Sequence, residues 1–599
     1  MRSQLLPHKP ARYRVQTRVK RVARAVAAYV ALGATVSPAY AQSYRDVAPT
    51  PPPSQGGGVV SQAPAQPPEN AAQVAVTSLR GLTFVAVTRA GGNAPPEPRS
   101  PGVTASGLPL LDDAFLHRFD DDLGKPLTFG RIAEIRRAII QRYREAGQPL
   151  VDVYLPEQDV TDGVVRIAIA EFHLGEVRAS GNQYFSSALL VGEMPLKAGQ
   201  FIRQSDVDIG LTLLNDNPYR HVDVVYAAGS APNTTDVVLQ TDDRAPWRVS
   251  AGFDNEGVPQ LGRERYSFGA DYGNLFGLDQ QIAWQLTTSN DVFGSHPSID
   301  GQSGRQRFLA NALSYVAPLP WHDRVEVFGV YAQSAPGVNG DFAQDGISAQ
   351  ISLRYDWLLP QILGWKQQAQ FGYDFKRSNN NLEFGGVQVF NSNTHIHQFL
   401  ANYDVSHDDS LGQTHANALA VVSPGSLDGD NNDEAFEASR HGATARYSYF
   451  QLSAQRDLVF DSGWSVMVKG LLQWTHDTLL PSEELGLGGE GSVRGYDPYT
   501  VLGDRGWNLQ TELRTPALPI GTTHAVWQPF VFMDSGHAWN SIDEPAEPGT
   551  STLLSTGVGL RFQFARYVSA QGTFGKPWRA AVPNGSKAPF FEFSVTIGT

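Results

Sequence analysis

The 599-residue chain has no cysteine, only 4 methionines and no run of eighteen consecutive apolar residues. The missing cysteines exclude a disulfide framework and thiolate metal ligation, which suits an exported protein that is stabilised by other means. The missing apolar run excludes a membrane-spanning helix in the mature chain, because such a helix needs roughly twenty apolar residues. A closed β-barrel is the remaining way across a membrane, and its polar interior is compatible with a hydrophobic content of 41%.

Acidic residues are also absent before Asp46, whereas eight basic residues precede the apolar stretch 25–36. The small-residue motif Ala39-Tyr40-Ala41 follows, so residues 1–41 are interpreted as a signal peptide cleaved after Ala41. Removing the eight basic residues takes the formal charge from -13 to -21. A mature chain with so many negative charges argues against nucleic acid as a partner.

The expected linker spans residues 42–78, and within it residues 48–68 are rich in proline, glycine, glutamine and alanine, with the runs 51–53 and 56–58 as the clearest cases. Such a composition cannot bury a core, so we interpret this segment as an extended, mobile linker. Between Gln42 and Ala48 there is no room for a helix that would plug a barrel.

Residues 79–170 read as an α+β module. The expected elements are a strand at 82–87, a short helix at 110–122, a helix from Thr128 to Ala146, and a hairpin at 151–155 and 164–169. Thr128 can cap the second helix and Gly147 ends it. The proline-rich stretch 95–101 is interpreted as an exposed insertion.

The same order of elements recurs over residues 171–244. The expected elements are a strand at 172–179, a short helix near Ser187, a helix at 205–214, and strands at 222–226 and 236–241. Two similar modules therefore stand in tandem, and the turn 214–218 joins the second helix of the second module to its next strand.

The last 353 residues, within the segment 245–599, alternate between apolar and polar positions in many short stretches. Division by sixteen gives about twenty-two residues for each strand with its connection, which fits spanning strands of roughly ten residues. In one such stretch, Tyr266, Phe268, Ala270 and Tyr272 alternate with Ser267, Gly269 and Asp271. We therefore predict a barrel of sixteen antiparallel strands with an apolar outer face and a polar lumen.

The most specific motif is Gly-Leu-Gly-Gly-Glu-Gly-Ser-Val-Arg-Gly-Tyr at 486–496, followed by Phe-Met-Asp-Ser-Gly at 532–536. Glycines at 488, 489, 491 and 495 would supply the positive φ that a sharp inward turn needs. Strand periodicity places Phe532, Asp534 and Gly536 on one face, which Asp534 marks as the lumen. Arg494 could then pair with Asp534, with Glu512 as a second possible partner.

These motifs resemble the outer-membrane transporters of two-partner secretion (TpsB proteins, the ShlB/FhaC/HecB-type haemolysin secretion/activation proteins), within the superfamily that includes BamA. The resemblance covers nearly everything after Leu79. It implies two polypeptide-transport-associated (POTRA) domains and a barrel with an inward-folded loop around 486–505. The residues that it implies for loop clamping or gating are Arg494, Asp534, Val493, Gly495, Tyr496, Phe532, Gly536 and Glu512.

The resemblance further implies a transporter without catalytic residues, cofactor or metal. Its partners would be an unfolded, TpsA-like exoprotein that becomes a β-helix outside the cell, outer-membrane lipid, and the barrel-assembly machinery that inserts the transporter itself. Its location would be the outer membrane of a Gram-negative bacterium, with the POTRA domains in the periplasm. The alternative is an assembly factor of the BamA/TamA type, although such proteins carry more POTRA domains.

Two weaker patterns suggest metal ligands. Asp428 begins a sequence like a calcium loop, but Asp433 stands where that loop requires glycine. His395 and His397 share a strand face, yet no third ligand is visible from the sequence. A structural role is expected for both patterns.

Overall fold

The computed structural model describes residues 47–49, 71–88, 100–293, 306–336, 342–384, 387–521, 524–542, 549–581 and 585–599. The expected signal peptide at 1–41 and most of the linker lie outside the described residues. The limits expected for the individual domains stay predictions.

The first α+β domain contains a four-stranded sheet in the order β3-β2-β6-β5. Its elements are β1 (Val74–Val76), β2 (Gly81–Ala86), β3 (Gly102–Ser106), α1 (Asp113–Leu116), a 3₁₀ turn (His117–Asp122), β4 (Leu127–Thr128), α2 (Phe129–Glu145), β5 (Val151–Tyr154) and β6 (Val164–Glu171). The Thr128 hydroxyl accepts a hydrogen bond from the Arg131 amide at 3.2 Å, so the predicted cap is present. Helix α2 packs Ile135 and Ile139 onto the sheet.

Strand β3 is an element that was not predicted from the sequence. It follows the proline-rich stretch, most of which lies outside the described residues, and it pairs in parallel with β2 from Gly81↔Gly102 to Val85↔Ser106. Its five residues are too few to show a convincing alternation, and the pairing depends on a neighbour that is distant along the chain. β3 thereby occupies one edge of this sheet.

The second α+β domain has the strand order β7-β9-β8. Its elements are β7 (His173–Ser180), α3 (Ser187–Gly192), α4 (Gln204–Asp216), β8 (Arg220–Ala228) and β9 (Thr234–Asp243). All five lie within a few residues of their predicted positions. Leu190, Val207 and Leu214 form the core with the inner face of the sheet.

Sixteen long antiparallel strands close the barrel, as predicted. They are β10 (Trp247–Asp254), β11 (Arg265–Leu275), β12 (Gln280–Ser289), β13 (Phe308–Pro318), β14 (Arg324–Ser334), β15 (Phe342–Ile362), β16 (Trp365–Phe384), β17 (Val387–Asp409), β18 (Gly412–Pro424), β19 (Arg446–Val459), β20 (Ser465–Trp474), β23 (Arg505–Arg514), β25 (Ala525–Trp539), β26 (Thr550–Phe564), β27 (Val568–Pro577) and β28 (Phe590–Gly598). A two-residue strand, β24 (Leu518–Pro519), lies beside β25. Pairing of β10 with β28 from Ser250↔Gly598 to Asp254↔Ser594 closes the ring.

The two ends of the barrel are distinguished by the second α+β domain, which contacts the turn between β11 and β12. Because the strands alternate in direction, every second connection lies at this end and the others lie at the far end. The connection between β20 and β23 is one of the far loops. It contains a small hairpin of β21 (Leu485–Leu487) and β22 (Val501–Gly503).

The long loop between β18 and β19 carries a helix that was not predicted, α5 (Asp433–Ser439). Asn432 caps it by accepting a hydrogen bond from the Ala435 amide at 2.9 Å, and Phe436 is fully buried. The helix was not predicted because the loop is polar in composition and Phe436 is the one buried residue of the helix. Among the described residues, no helix is both long and apolar enough to cross a membrane.

Part of the expected linker is held inside the barrel. Val47 is 4% exposed and packs with Val258, Leu261 and Phe308. Phe308 lies on the face of β13 opposite to the exposed Leu313, which means that it points into the lumen. Val47, which precedes the stretch interpreted as mobile, thus makes a buried apolar contact inside the barrel.

The alternation of the strands yields a stability prediction. On β15, Ile351 is 54% exposed on the outer face, whereas the neighbouring Gln350 faces the lumen and donates to Ser352 at 2.7 Å. Ile351→Arg should destabilise the inserted barrel by about 2–4 kcal/mol because it places a charge in hydrocarbon. Gln350→Glu on the same strand places a charge in the lumen opposite Lys376 and should leave stability nearly unchanged. Cold-gel mobility after graded heating measures both, and equal losses would contradict the assigned orientation.

Candidate functional site

The loop between β20 and β23 folds back into the lumen through a glycine-rich turn. Gly488, Gly489 and Gly495 have φ values of 112°, 82° and 85°. These values lie in the region that only glycine adopts without strain. Gly491 does not have a positive φ, so the expectation for that glycine was wrong; it lies in open space, where nothing forces the backbone into that region.

Arg494 lies at the centre of the site and is only 1% exposed. Its Nε and Nη2 donate to the two carboxylate oxygens of Asp534 at 2.7 and 2.8 Å, which is a bidentate pair. The Arg494 backbone amide also donates to Asp534, at 3.2 Å. The carboxylate therefore holds both the side chain and the main chain of the loop.

Glu512 is the second partner of Arg494 and accepts a hydrogen bond from its Nη1. Glu512 lies on β23 and Asp534 on the adjacent β25, where Glu512 stands opposite Phe532 and Gln510 opposite Asp534. Two neighbouring strands thus each contribute one buried carboxylate to the same guanidinium. Both carboxylates are almost inaccessible, at 2% and 0% exposure.

Two further arginines contact Glu512. Arg561 donates to both of its oxygens at 2.9 Å, and Arg514 donates to one of them at 2.6 Å. Neither arginine was predicted from the sequence. The signal for Arg561 was available, since it alternates with Val558 and Leu560, which are exposed on the outer face, and therefore points into the lumen.

An aromatic ring lies against the guanidinium of each of two arginines. The Arg494 guanidinium carbon lies 4.0 Å from the ring centroid of Phe532, and that of Arg561 lies 4.1 Å from Phe530. These are cation–π distances. The rings fit because β26 has glycine at 557 and 559, where an added Cβ would lie 2.4 Å from Phe532 and 2.2 Å from Phe530.

The remaining sequence-predicted residues surround this cluster. Val493 is fully buried, and Gly536 leaves room for it because a Cβ there would lie 3.1 Å from the Val493 side chain. Gly495 passes against Gly575 of β27. The Tyr496 hydroxyl lies 2.9 Å from the Leu554 carbonyl oxygen. All eight predicted residues are therefore brought together.

The two weaker patterns of the sequence meet at a different place. His395 Nδ1 and His397 Nε2 both lie 2.8 Å from one carboxylate oxygen of Asp428. Asp428 is thus the hydrogen-bond partner of the histidine pair. Within the part of the chain that the structure describes, no group of three or more histidine, aspartate or glutamate side chains could hold a metal ion.

A closed sixteen-stranded barrel with an inward loop, preceded by two α+β domains, defines the class of outer-membrane POTRA-barrel proteins. The family model described as "Haemolysin secretion/activation protein ShlB/FhaC/HecB" matches residues 233–562, and the model described as "POTRA domain, ShlB-type" matches residues 102–171. The chain belongs to the ShlB/FhaC/HecB haemolysin secretion/activation family. It is a two-partner secretion transporter of the outer membrane, with its POTRA domains in the periplasm.

Individual relatives agree with this assignment. The chain is 23% identical to the outer membrane transporter CdiB-2 of Burkholderia pseudomallei, over 82% of this chain and 81% of that protein. It is 22% identical to the heme/hemopexin transporter protein HuxB of Haemophilus influenzae, over 80% and 83%. The solved structure of CdiB from Escherichia coli shares the fold, with a TM-score of 0.71 at 18% identity over 90% of this chain and 94% of that one.

The glycine geometry predicts that the same substitution has different effects at Gly495 and at Gly491. A Cβ at Gly495 would lie 2.9 Å from the Gly575 carbonyl carbon in a backbone at φ 85°, whereas a Cβ at Gly491 would meet nothing within 4 Å. Gly495→Ala should therefore loosen the loop by about 1–3 kcal/mol, while Gly491→Ala should not. Hydrogen exchange of the amides at 493–496 in the purified protein measures this. Equal protection in both variants would show that Gly495 is not under constraint.

Proposed function

We propose that Arg494, Asp534 and Glu512 form a latch that holds the inward loop in position during export of one dedicated partner protein. The observation that carries the proposal is a guanidinium 1% exposed and shared by carboxylates on two adjacent strands. Val493, Gly495, Tyr496, Phe532 and Gly536 would fit the loop around that pair. The chain acts in this proposal as a transporter without a catalytic step.

The energetics support a latch at this place rather than a weak surface ion pair. An exposed pair contributes about 0–1 kcal/mol, but removal of one member of a buried pair leaves an uncompensated charge and costs about 3–5 kcal/mol. Arg494 belongs to the second group, since both of its carboxylate partners are buried. The position of the loop in the lumen should consequently depend on this one residue.

We further propose that the periplasmic domains receive the client as an extended chain. β7 lies at one end of the strand order of its sheet, and Glu176, Arg178 and Ser180 on it are exposed. An edge strand can hydrogen-bond an incoming backbone regardless of its side chains. The client would be a secreted protein that folds outside as a β-helix, so that its folding prevents return. Outer-membrane lipid and the barrel-assembly machinery are the other partners in this proposal.

Arg494→Ala should leave the barrel inserted but lower export of the partner strongly, because Asp534 then stays buried without its counter-charge. Arg494→Lys should fall between this variant and wild type, since an ammonium cannot reproduce the fork that reaches Asp534 and Glu512 together. Quantitative secretion of the partner, normalised to the amount of folded barrel, is the measurement.

The matched control is Arg446→Ala, which removes an exposed arginine whose Nε lies 3.4 Å from the Pro424 carbonyl oxygen. This control should secrete like wild type. The latch proposal fails if Arg494→Ala also does so.

Loss of the whole protein distinguishes an exporter from an assembly factor. An exporter's absence should leave one large polypeptide in the periplasm and keep the other outer-membrane barrels at normal levels. Comparison of periplasmic and outer-membrane proteomes with and without the protein tests this. Simultaneous depletion of many barrels would instead support the assembly function.

A further inference from the structure

The segment 214–220, here called the docking turn, comprises the last residues of helix α4, the turn 217–219 and the first residue of strand β8. It contacts the periplasmic end of the barrel. Its residues are Leu214, Asn215, Asp216, Asn217, Pro218, Tyr219 and Arg220. The sequence identifies residues 214–218 as a turn but does not assign a function to them. Its polar side chains reach three barrel elements: β11, the turn between β11 and β12, and β14.

Arg220 makes the central contact of the docking turn. It is 2% exposed, and its Nη1 and Nη2 donate to the two carboxylate oxygens of Asp279 at 2.7 Å each. Asp279 belongs to the barrel, in the turn between β11 and β12. The same guanidinium donates to Glu193 at 2.8 Å and to the Leu214 carbonyl oxygen at 2.6 Å, both within its own domain. One arginine therefore joins the second α+β domain to the barrel.

Neighbouring contacts fix the orientation of the joint. Asn217 donates to the Gly273 carbonyl oxygen at 2.5 Å and to Asp279 at 2.7 Å. The Tyr219 hydroxyl donates to Asp271 on β11, and Asp216 pairs with Arg324 on β14. These contacts reach β11 and β14 as well as the turn that Arg220 binds. The domain is consequently held at several points rather than on one flexible tether.

The charged groups of the joint are buried together. Burial raises the pKa of Glu193 well above its ordinary value and also raises the pKa of Asp279, in both cases against the opposing effect of Arg220. Arg220 donates hydrogen bonds to both carboxyls, which offsets part of the cost of burying them. Opening the joint would separate Arg220 from Asp279, so that Glu193 would be the carboxylate left to it.

We propose that Arg220 is a positioning residue that locks the second α+β domain to the first periplasmic turn of the barrel, so that the domain and the barrel entrance move as one body. The edge of β7 beyond Leu174 then keeps a fixed position relative to the lumen of the barrel. Only this consequence for client delivery rests on the proposed function. The joint itself is a property of the chain without any client.

The absence of cysteine makes a direct test simple. Two exposed serines suit labelling. Ser230→Cys lies in the β8–β9 turn of the domain, and Ser462→Cys lies in the β19–β20 turn of the barrel. Spin labels on both, in purified full-length protein, should give a single narrow distance peak. Asp279→Gly should broaden this peak, because it removes the carboxylate that binds Arg220 and Asn217 while the other contacts of the joint remain. Glycine adopts the φ of 58° found there without strain.

Arg220→Gln should have the same effect from the other side, and Arg178→Ala, which removes an exposed arginine of the same domain, should keep the narrow peak. If Arg220→Gln disturbs the folding of its domain, Asp279→Gly still decides, because Asp279 lies outside that domain. A narrow peak retained in Asp279→Gly would overturn the proposal. The measurement needs no client, so it is independent of whether the export mechanism is correct.

Discussion

The structure depends on balancing the charge of a buried guanidinium in the lumen of the barrel. Arg494 has almost no contact with solvent, so its charge must be balanced by carboxylates at fixed positions. Asp534 and Glu512 provide that balance only because β23 and β25 are hydrogen-bonded neighbours in the register that sets Glu512 opposite Phe532. The barrel wall and the loop are thus mutually dependent: the wall supplies the carboxylates, and the loop supplies the charge that makes their burial tolerable.

A second buried arginine repeats this arrangement at the other end of the molecule. Arg220 is also shared by two carboxyls, one from its own domain and one from the barrel. In both places a bidentate fork joins parts of the chain that are far apart in sequence, and the geometry of the fork sets their relative orientation. The barrel therefore makes two charged contacts, one with the loop in its lumen and one with the second α+β domain at its periplasmic end.

Much of this could be predicted from sequence because the relevant signals are local. Strand alternation identified the lumen-facing side of β25, and the glycine-rich motif located the inward loop. Strand β3, helix α5 and the contact of Val47 could not be predicted, since each depends on a partner distant in the chain. Arg561 was missed because an arginine in a strand identifies a face but not the carboxylate that it will meet.

The composition of the cluster also determines what withdrawal of the loop would involve. Glu512 would keep Arg514 and Arg561, so its charge would remain paired. Asp534 would lose the three hydrogen bonds that Arg494 donates to it. Its cross-strand neighbour Ser555 is fully buried, and among the described residues its hydroxyl has no hydrogen-bond partner. An unpaired hydroxyl next to the clamped carboxylate shows that the wall around Asp534 is arranged for the arginine of the loop rather than for a partner within the wall.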